Sequence, residues 1–224
     1  EGGIRDFACG YAKYRSILEH EKAAKPQVVE APKPKKEKPK GGTKEQDKLI
    51  RRLEREIEKQ EQAIRQAATA GVLLITGGPG TGKTTILKGI LSLLGQMQLR
   101  CVLAAPTGRA AKRLSEVTGE DASTIHRLLE ASIDPATGEM VFLRDEDNPI
   151  KADAVIVDEM SMVDVLLLNS LLRAIPEGKR LILVGDPDQL PPVGPGFPFS
   201  DCLRSGMLPA VCLTEIFRQA QQSL

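Results

Sequence analysis

Cysteine is scarce and scattered in this chain: Cys9, Cys101, Cys202 and Cys212 show neither C-x-x-C spacing nor a nearby pair of histidines. A zinc site needs clustered thiolate and imidazole ligands, so no zinc pattern is present, and isolated thiols fit a reducing, cytoplasmic setting. Long apolar runs are missing too. None approaches the roughly 18 residues of a membrane span, and the segment opening at Glu1 lacks the charge-then-apolar order of a signal peptide. We therefore expect no membrane partner. Neither sign of charge dominates, with 31 Lys and Arg against 30 Asp and Glu, so bulk charge identifies no nucleic-acid partner. The basic excess is local: positions 1–69 carry 17 basic and 12 acidic residues, and positions 70–224 carry 14 and 18. An initiator Met is also missing, as expected of a fragment or a processed chain.

What is present suits one sizeable α/β core plus an appendage, since 224 residues at 41% hydrophobic content are too few for two full domains of that kind. Over 1–20, Phe7, Tyr11, Tyr14, Ile17 and Leu18 recur at roughly helical spacing and predict a short amphipathic helix of no assignable role. Residues 21–42, including "APKPKKEKPKGG", hold too little apolar surface to offset chain entropy, and read as a flexible tether or, alternatively, a basic arm touching phosphate. The main domain is expected over 43–224. Thr43 with Gln46 makes a capping box, and Leu49, Leu53, Ile57 and Ile64 then recur at helical steps, predicting a helix over 43–69. Short apolar runs at 72–76, 101–105, 154–158, 180–184 and 210–213 alternate with helical stretches. This order predicts a parallel sheet flanked by helices.

Gly77, Gly78, Pro79, Gly80, Thr81, Gly82, Lys83 and Thr84 match G-x-x-x-x-G-K-[ST], directly after "VLLIT" and before a helical stretch from Thr85. Glycines let the loop's N–H groups turn toward phosphate oxygens, and the helix that follows adds the positive end of its dipole. Lys83 is expected to reach the β and γ phosphates of ATP. The Thr84 hydroxyl is expected on Mg²⁺.

About 75 residues on, "ADAVIVDEMSMVD" ends an apolar run on Asp158 and Glu159, at the sheet edge where open α/β folds hold ligands. Asp158 suits a second-shell or water-mediated Mg²⁺ carboxylate, and Glu159 suits the base that orients and deprotonates a water. "RLILVGDPDQLPPVGPG" then ends a strand in a proline-stiffened loop carrying Asp186, Asp188 and Gln189. Gln189 can donate and accept at once, so it could contact the γ-phosphate or its water, or the loop could simply be a rigid turn. Late in the chain Arg218, in "LTEIFRQ", either stabilises charge on a transferred phosphoryl group or makes a surface ion pair.

Taken together these strings resemble the RecD-like branch of superfamily 1 helicases, which includes the helicase part of TraA-type conjugative proteins. "GGPGTGKTT" is similar to motif I, "APTGRAAKRLSE" to motif Ia, "STIHRLL" to the short DNA-contacting element after it, "VDEMSMVD" to motif II, "VGDPDQLPPVGPG" to motif III and "LTEIFRQ" to motif IV. The resemblance spans roughly 60–224 and implies a RecA-like P-loop NTPase fold. It also implies that Pro106, Thr107, Arg109, Lys112 and Arg113, with Thr124 and His126, line a single-stranded DNA path. A solvated helix face is the alternative for the three basic residues. Gln60 resembles the family's adenine-recognising glutamine, with Gln62 close enough to compete. Arg218 takes the phosphoryl-stabilising role.

The resemblance implies an ATP-dependent DNA helicase, with 5′ to 3′ translocation and a role in DNA repair, recombination or conjugation. A second RecA-like domain is not expected within these 224 residues, and ATP hydrolysis by them alone is expected to be weak. A small-molecule P-loop kinase is the rival enzyme reading. A non-catalytic ATP-sensing module is the rival of another class, and the intact set of Lys83, Thr84, Asp158, Glu159 and Gln189 speaks against it. Pro198 departs from the family pattern, where a helix is expected.

Overall fold

A computed structural model describes residues 44–214, with side chains from Asp47 onward. The expected N-terminal helix, the tether, the Thr43 cap and Arg218 lie outside the described residues.

The predicted long helix is α1, Lys44–Thr69. It leads into β1 (Val72–Gly77), α2 (Lys83–Gln96), β2 (Cys101–Ala105), α3 (Gly108–Thr118), β3 (Ala122–Thr124) and α4 (Ile125–Leu128). A two-stranded antiparallel hairpin follows, β4 (Ala131–Ile133) with β5 (Met140–Phe142). Then come β6 (Ala154–Val157), a 3₁₀ turn at Met160–Met162, α5 (Val165–Arg173), β7 (Arg180–Gly185), α6 (Pro198–Ser205) and β8 (Ala210–Leu213). Six strands form one parallel sheet in the order β3-β2-β6-β7-β1-β8.

Side chains on each strand alternate between two cores, as the period of two in a pleated strand requires. Leu73, Ile75, Ile156, Ile182 and Val184 pack with Ile86, Leu87, Ile90 and Leu94 of α2 and Ala63 and Ala67 of α1. Leu74, Val155, Val157, Leu181 and Leu183 face the other way, onto Ile125 of α4, Leu168 and Leu171 of α5 and Phe199 of α6. Burial on both faces explains why these strands read as unbroken apolar runs, and each fully buried Leu or Ile contributes about 1.5–3 kcal/mol. The α/β sheet flanked by helices is borne out.

Close packing fixes α1 on α2. A Cβ at Gly89 would stand 2.6 Å from Ile64 Cδ1, so this helix pair approaches where only hydrogen fits. The Arg180 guanidinium donates to the Ala68 carbonyl at 3.0 Å, tying the end of α1 to β7. Pro198, out of place in a helix interior, stands in the first turn of α6, where its missing N–H would be unsatisfied anyway. Among the described residues no helix is long and apolar enough to cross a membrane.

Candidate nucleotide-binding site

Every parallel strand delivers its C-terminal end to one edge, so the loops after β1, β2, β6 and β7 gather the site. The loop after β1 makes its turns at Gly80 and Gly82, whose φ values of 80° and 89° fall where a side chain is disfavoured. Gly77 is required for space: a Cβ there would lie 2.7 Å from Thr81 Oγ1 and 2.9 Å from the Leu213 carbonyl oxygen. Thr81, itself buried, donates from its hydroxyl to the Gly78 carbonyl at 2.8 Å and closes the loop. Lys83 starts α2 and folds back, donating to the carbonyls of Gly77 and Gly78. The ammonium is thus held inside the curl of the loop, where phosphate oxygens could replace the two carbonyls.

A cavity of about 590 Å³ opens in front of this loop. Gly78, Pro79, Gly80, Thr81, Gly82, Lys83, Thr84 and Thr85 line it from motif I, and Asp158, Glu159 and Gln189 line it from the loops after β6 and β7. Gln60 of α1 reaches the same cavity beside Ile57, whereas Gln62 is exposed elsewhere on that helix. Two residues apart on a helix point about 200° apart, so only one of the two glutamines can serve.

Asp158 is fixed by its N–H donating to the Ala104 carbonyl at 3.0 Å, and its carboxylate accepts from the Glu159 N–H at 2.9 Å. Burial pushes the Asp158 carboxyl above its ordinary range. The Glu159 N–H opposes that shift, the Glu159 charge adds to it, and Lys83 and Arg113 oppose it. A carboxylate that is costly to ionise without a cation is well suited to receiving one. Glu159 has φ 56°, a left-handed conformation uncommon for a side-chain-bearing residue, and such strain collects at working sites.

Asp186, 2% exposed, organises the third loop: its carboxylate accepts from the Asp188 N–H at 3.1 Å and from the Gln189 side-chain amide at 3.3 Å. The sequence shows Asp186 next to Gln189, yet only burial identifies it as the residue that aims Gln189. Farther along, a Cβ on Gly194 would collide with the Asp164 carboxylate, which caps α5 by accepting from the Leu167 N–H at 2.8 Å. The third loop is thereby pinned to the start of α5, also through the Val165 N–H and the Pro195 carbonyl at 3.0 Å.

The residues expected along a DNA path lie at the same sheet edge, after β2 and β3. Pro106 and Thr107 follow β2, and Thr107 caps α3 by accepting from the Ala110 N–H at 3.2 Å. Thr124 caps α4 through the Arg127 N–H at 3.1 Å. His126 is half-buried and its ring lies 5.7 Å from that of Phe142 on the hairpin. Arg109 and Lys112 are exposed on α3, with Lys112 near Glu116 at 3.9 Å. Arg113 departs from this group: it lines the nucleotide cavity, as do Ala110 and Val117 from the same helix face.

The AAA domain profile matches residues 60–195. The chain belongs to the AAA domain family. The ATP-dependent RecD2 DNA helicase of Deinococcus radiodurans is 43% identical over 166 residues, 74% of this chain and 22% of the relative. The RecBCD enzyme subunit RecD of Mycolicibacterium smegmatis is 39% identical, over 65% of this chain and 30% of that protein. Among solved structures, the Pif1 helicase of Candida albicans aligns with a TM-score of 0.53 at 28% identity, covering 72% of this chain and 40% of that one. The RecD-like resemblance and the RecA-like fold are borne out, and with them nucleotide binding by this AAA domain. The small-molecule kinase reading finds no support in these relatives. The chain spans between a fifth and a third of the length of the two curated relatives.

Proposed function

We propose that this AAA domain is the ATP-binding and hydrolysing core of a RecD-like DNA helicase, one half of a two-domain motor working in the cytoplasm. The observation that carries the reading is the meeting of Lys83, Thr84, Asp158, Glu159 and Gln189 around one cavity, although they come from three separate loops.

The residues divide the work by chemistry. Lys83 exchanges the Gly77 and Gly78 carbonyls for β- and γ-phosphate oxygens, neutralising charge that grows on the leaving diphosphate. The Thr84 hydroxyl and the Asp158 carboxylate are hard oxygen donors suited to Mg²⁺. Phosphate and water oxygens would complete the ligand shell of the cation. When bound, Mg²⁺ polarises the phosphates. Glu159 takes the proton of a water attacking the γ-phosphorus, and Gln189, its amide held by Asp186, orients that water. Gln60 addresses the adenine beside Ile57. Arg218 stabilises the transferred phosphoryl group by resemblance to motif IV.

Single-stranded DNA is the second substrate, and the D. radiodurans relative is named a DNA helicase. Pro106, Thr107, Arg109, Lys112, Thr124 and His126 offer backbone-directed contacts, with phosphates meeting the cations and no base edge read. Translocation runs 5′ to 3′ by the same resemblance. The test is Glu159→Gln in a chain that joins this domain to its second motor domain: ATP binding persists and DNA-stimulated turnover is lost. Full DNA-stimulated hydrolysis by that variant would sink the assignment of the base. These 224 residues alone bind ATP and turn it over only weakly, and brisk steady-state turnover would contradict the need for a second domain.

A further inference from the structure

We infer that Arg113 belongs to the nucleotide rather than to the DNA path: it contacts the terminal phosphates of a bound nucleoside triphosphate. This rests on the ATP reading of the cavity and extends it to a helix that motif Ia contributes. Helix α3 carries three basic residues, and the fold separates them by face. Ala110, Arg113 and Val117 follow one another at three- and four-residue steps and all line the cavity. Arg109 and Lys112 do not line it, and Lys112 stands 3.9 Å from Glu116 on the outer surface.

Charge at the cavity wall points the same way. Two cations line it, Lys83 and Arg113, against two carboxylates, Asp158 and Glu159. Lys83 is held by the Gly77 and Gly78 carbonyls. Arg113 has no carboxylate within ion-pair distance among the described residues, although it lines the same cavity as Asp158 and Glu159. Arg113 thus shares a cavity with Lys83, Thr84 and Asp158, the residues proposed to meet the phosphates and Mg²⁺. A planar fork of donors that never loses its charge matches phosphate oxygens in pairs. The consequence for the motor is direct. The helix that presents Arg113 to the triphosphate also carries Arg109 and is capped by Thr107, two residues expected along the DNA path, so loss of the γ-phosphate would remove a restraint on that element.

The test titrates a fluorescent ATP analogue and its diphosphate counterpart, with Mg²⁺, into the 224-residue chain and its Arg113→Ala, Arg113→Lys, Lys151→Ala and Lys83→Ala variants. An oligo-dT anisotropy titration runs alongside. Because Arg113 is exposed, its variants are expected to melt with the parent. Arg113→Ala weakens the triphosphate by at least about tenfold and the diphosphate far less, Arg113→Lys recovers part of the loss, and Lys151→Ala, at an exposed lysine away from the cavity lining, leaves both unchanged. Unchanged triphosphate affinity in Arg113→Ala, while Lys83→Ala loses it, overturns the inference alone, and a fall in oligo-dT affinity then returns Arg113 to the DNA path. A parent chain that binds no triphosphate overturns the ATP reading, and this inference falls with it.

Discussion

Replacing Gly77 by alanine puts the geometry of the phosphate loop to a quantitative test. The added methyl would stand 2.7 Å from Thr81 Oγ1 and 2.9 Å from both Leu213 Cβ and the Leu213 carbonyl oxygen, three contacts tighter than carbon tolerates. None of the three can swing aside freely. Thr81 is held by its 2.8 Å bond to the Gly78 carbonyl, and Leu213 is 2% exposed on a strand paired with β1. Relief must come from displacing β8 or opening the loop, and overpacking of this kind costs about 1–3 kcal/mol. In a domain of this size, 1 kcal/mol moves the melting midpoint about 2–4 °C, so a fall of roughly 2–12 °C is expected. Gly78→Ala is the matched control, because a Cβ there meets nothing within 4 Å. Its nucleotide-free melt should stay within about 0.5 kcal/mol of the parent, as for an unencumbered surface substitution. Thermal unfolding followed by circular dichroism without nucleotide reads both variants. Equal midpoints for Gly77→Ala and Gly78→Ala would refute the claim that space, rather than backbone freedom, selects glycine at position 77.

Asp158→Asn should raise the nucleotide-free melting temperature at neutral pH while abolishing Mg²⁺-dependent ATP affinity, because burial already holds the Asp158 carboxyl above its ordinary range. The sign follows from proton linkage: the folded state keeps this proton where the unfolded chain has lost it. The stability Asp158 contributes is complete below the ordinary carboxylate range and is lost as pH rises through its elevated folded value. A parent-minus-variant stability difference that grows with pH over that window would contradict this. Asp164→Ala removes the α5 cap and should destabilise the fold by about 1 kcal/mol, read from a urea midpoint, and a midpoint equal to the parent's would show that the 2.8 Å bond to the Leu167 N–H carries nothing.

The residues that gather at the candidate nucleotide cavity were legible in the sequence because they sit at spacings with local physical causes. The glycines must turn, Lys83 and Thr84 must open a helix, and Asp158 must end a buried strand, so each is visible within a few neighbours. The strands were legible for the same reason, as β-branched apolar runs of 4 to 6 residues, and all five expected strands stand within one residue of their predicted ends. Strand order was not. Nothing near Val72 or Arg180 in sequence says that β1 pairs with β7, since that pairing is decided by packing between residues more than a hundred positions apart. The three-residue β3 and the β4–β5 hairpin were missed because they bury little, with Ile133 63% and Met140 56% exposed, and leave no apolar pattern to read. Helix facing was lost in the same way. Periodicity finds α3, but only the fold shows that Arg113 looks into the cavity while Lys112 looks out, and only the fold separates Gln60 from Gln62.

Equilibrium binding of ATP to these 224 residues, compared between the parent chain and Lys83→Ala, tests the central claim most directly. The account predicts saturable, Mg²⁺-dependent binding by the parent and a loss of at least about tenfold in the variant, because the ammonium now held by the Gly77 and Gly78 carbonyls is the group that meets the phosphates. Equal ATP affinity in the two proteins would contradict it.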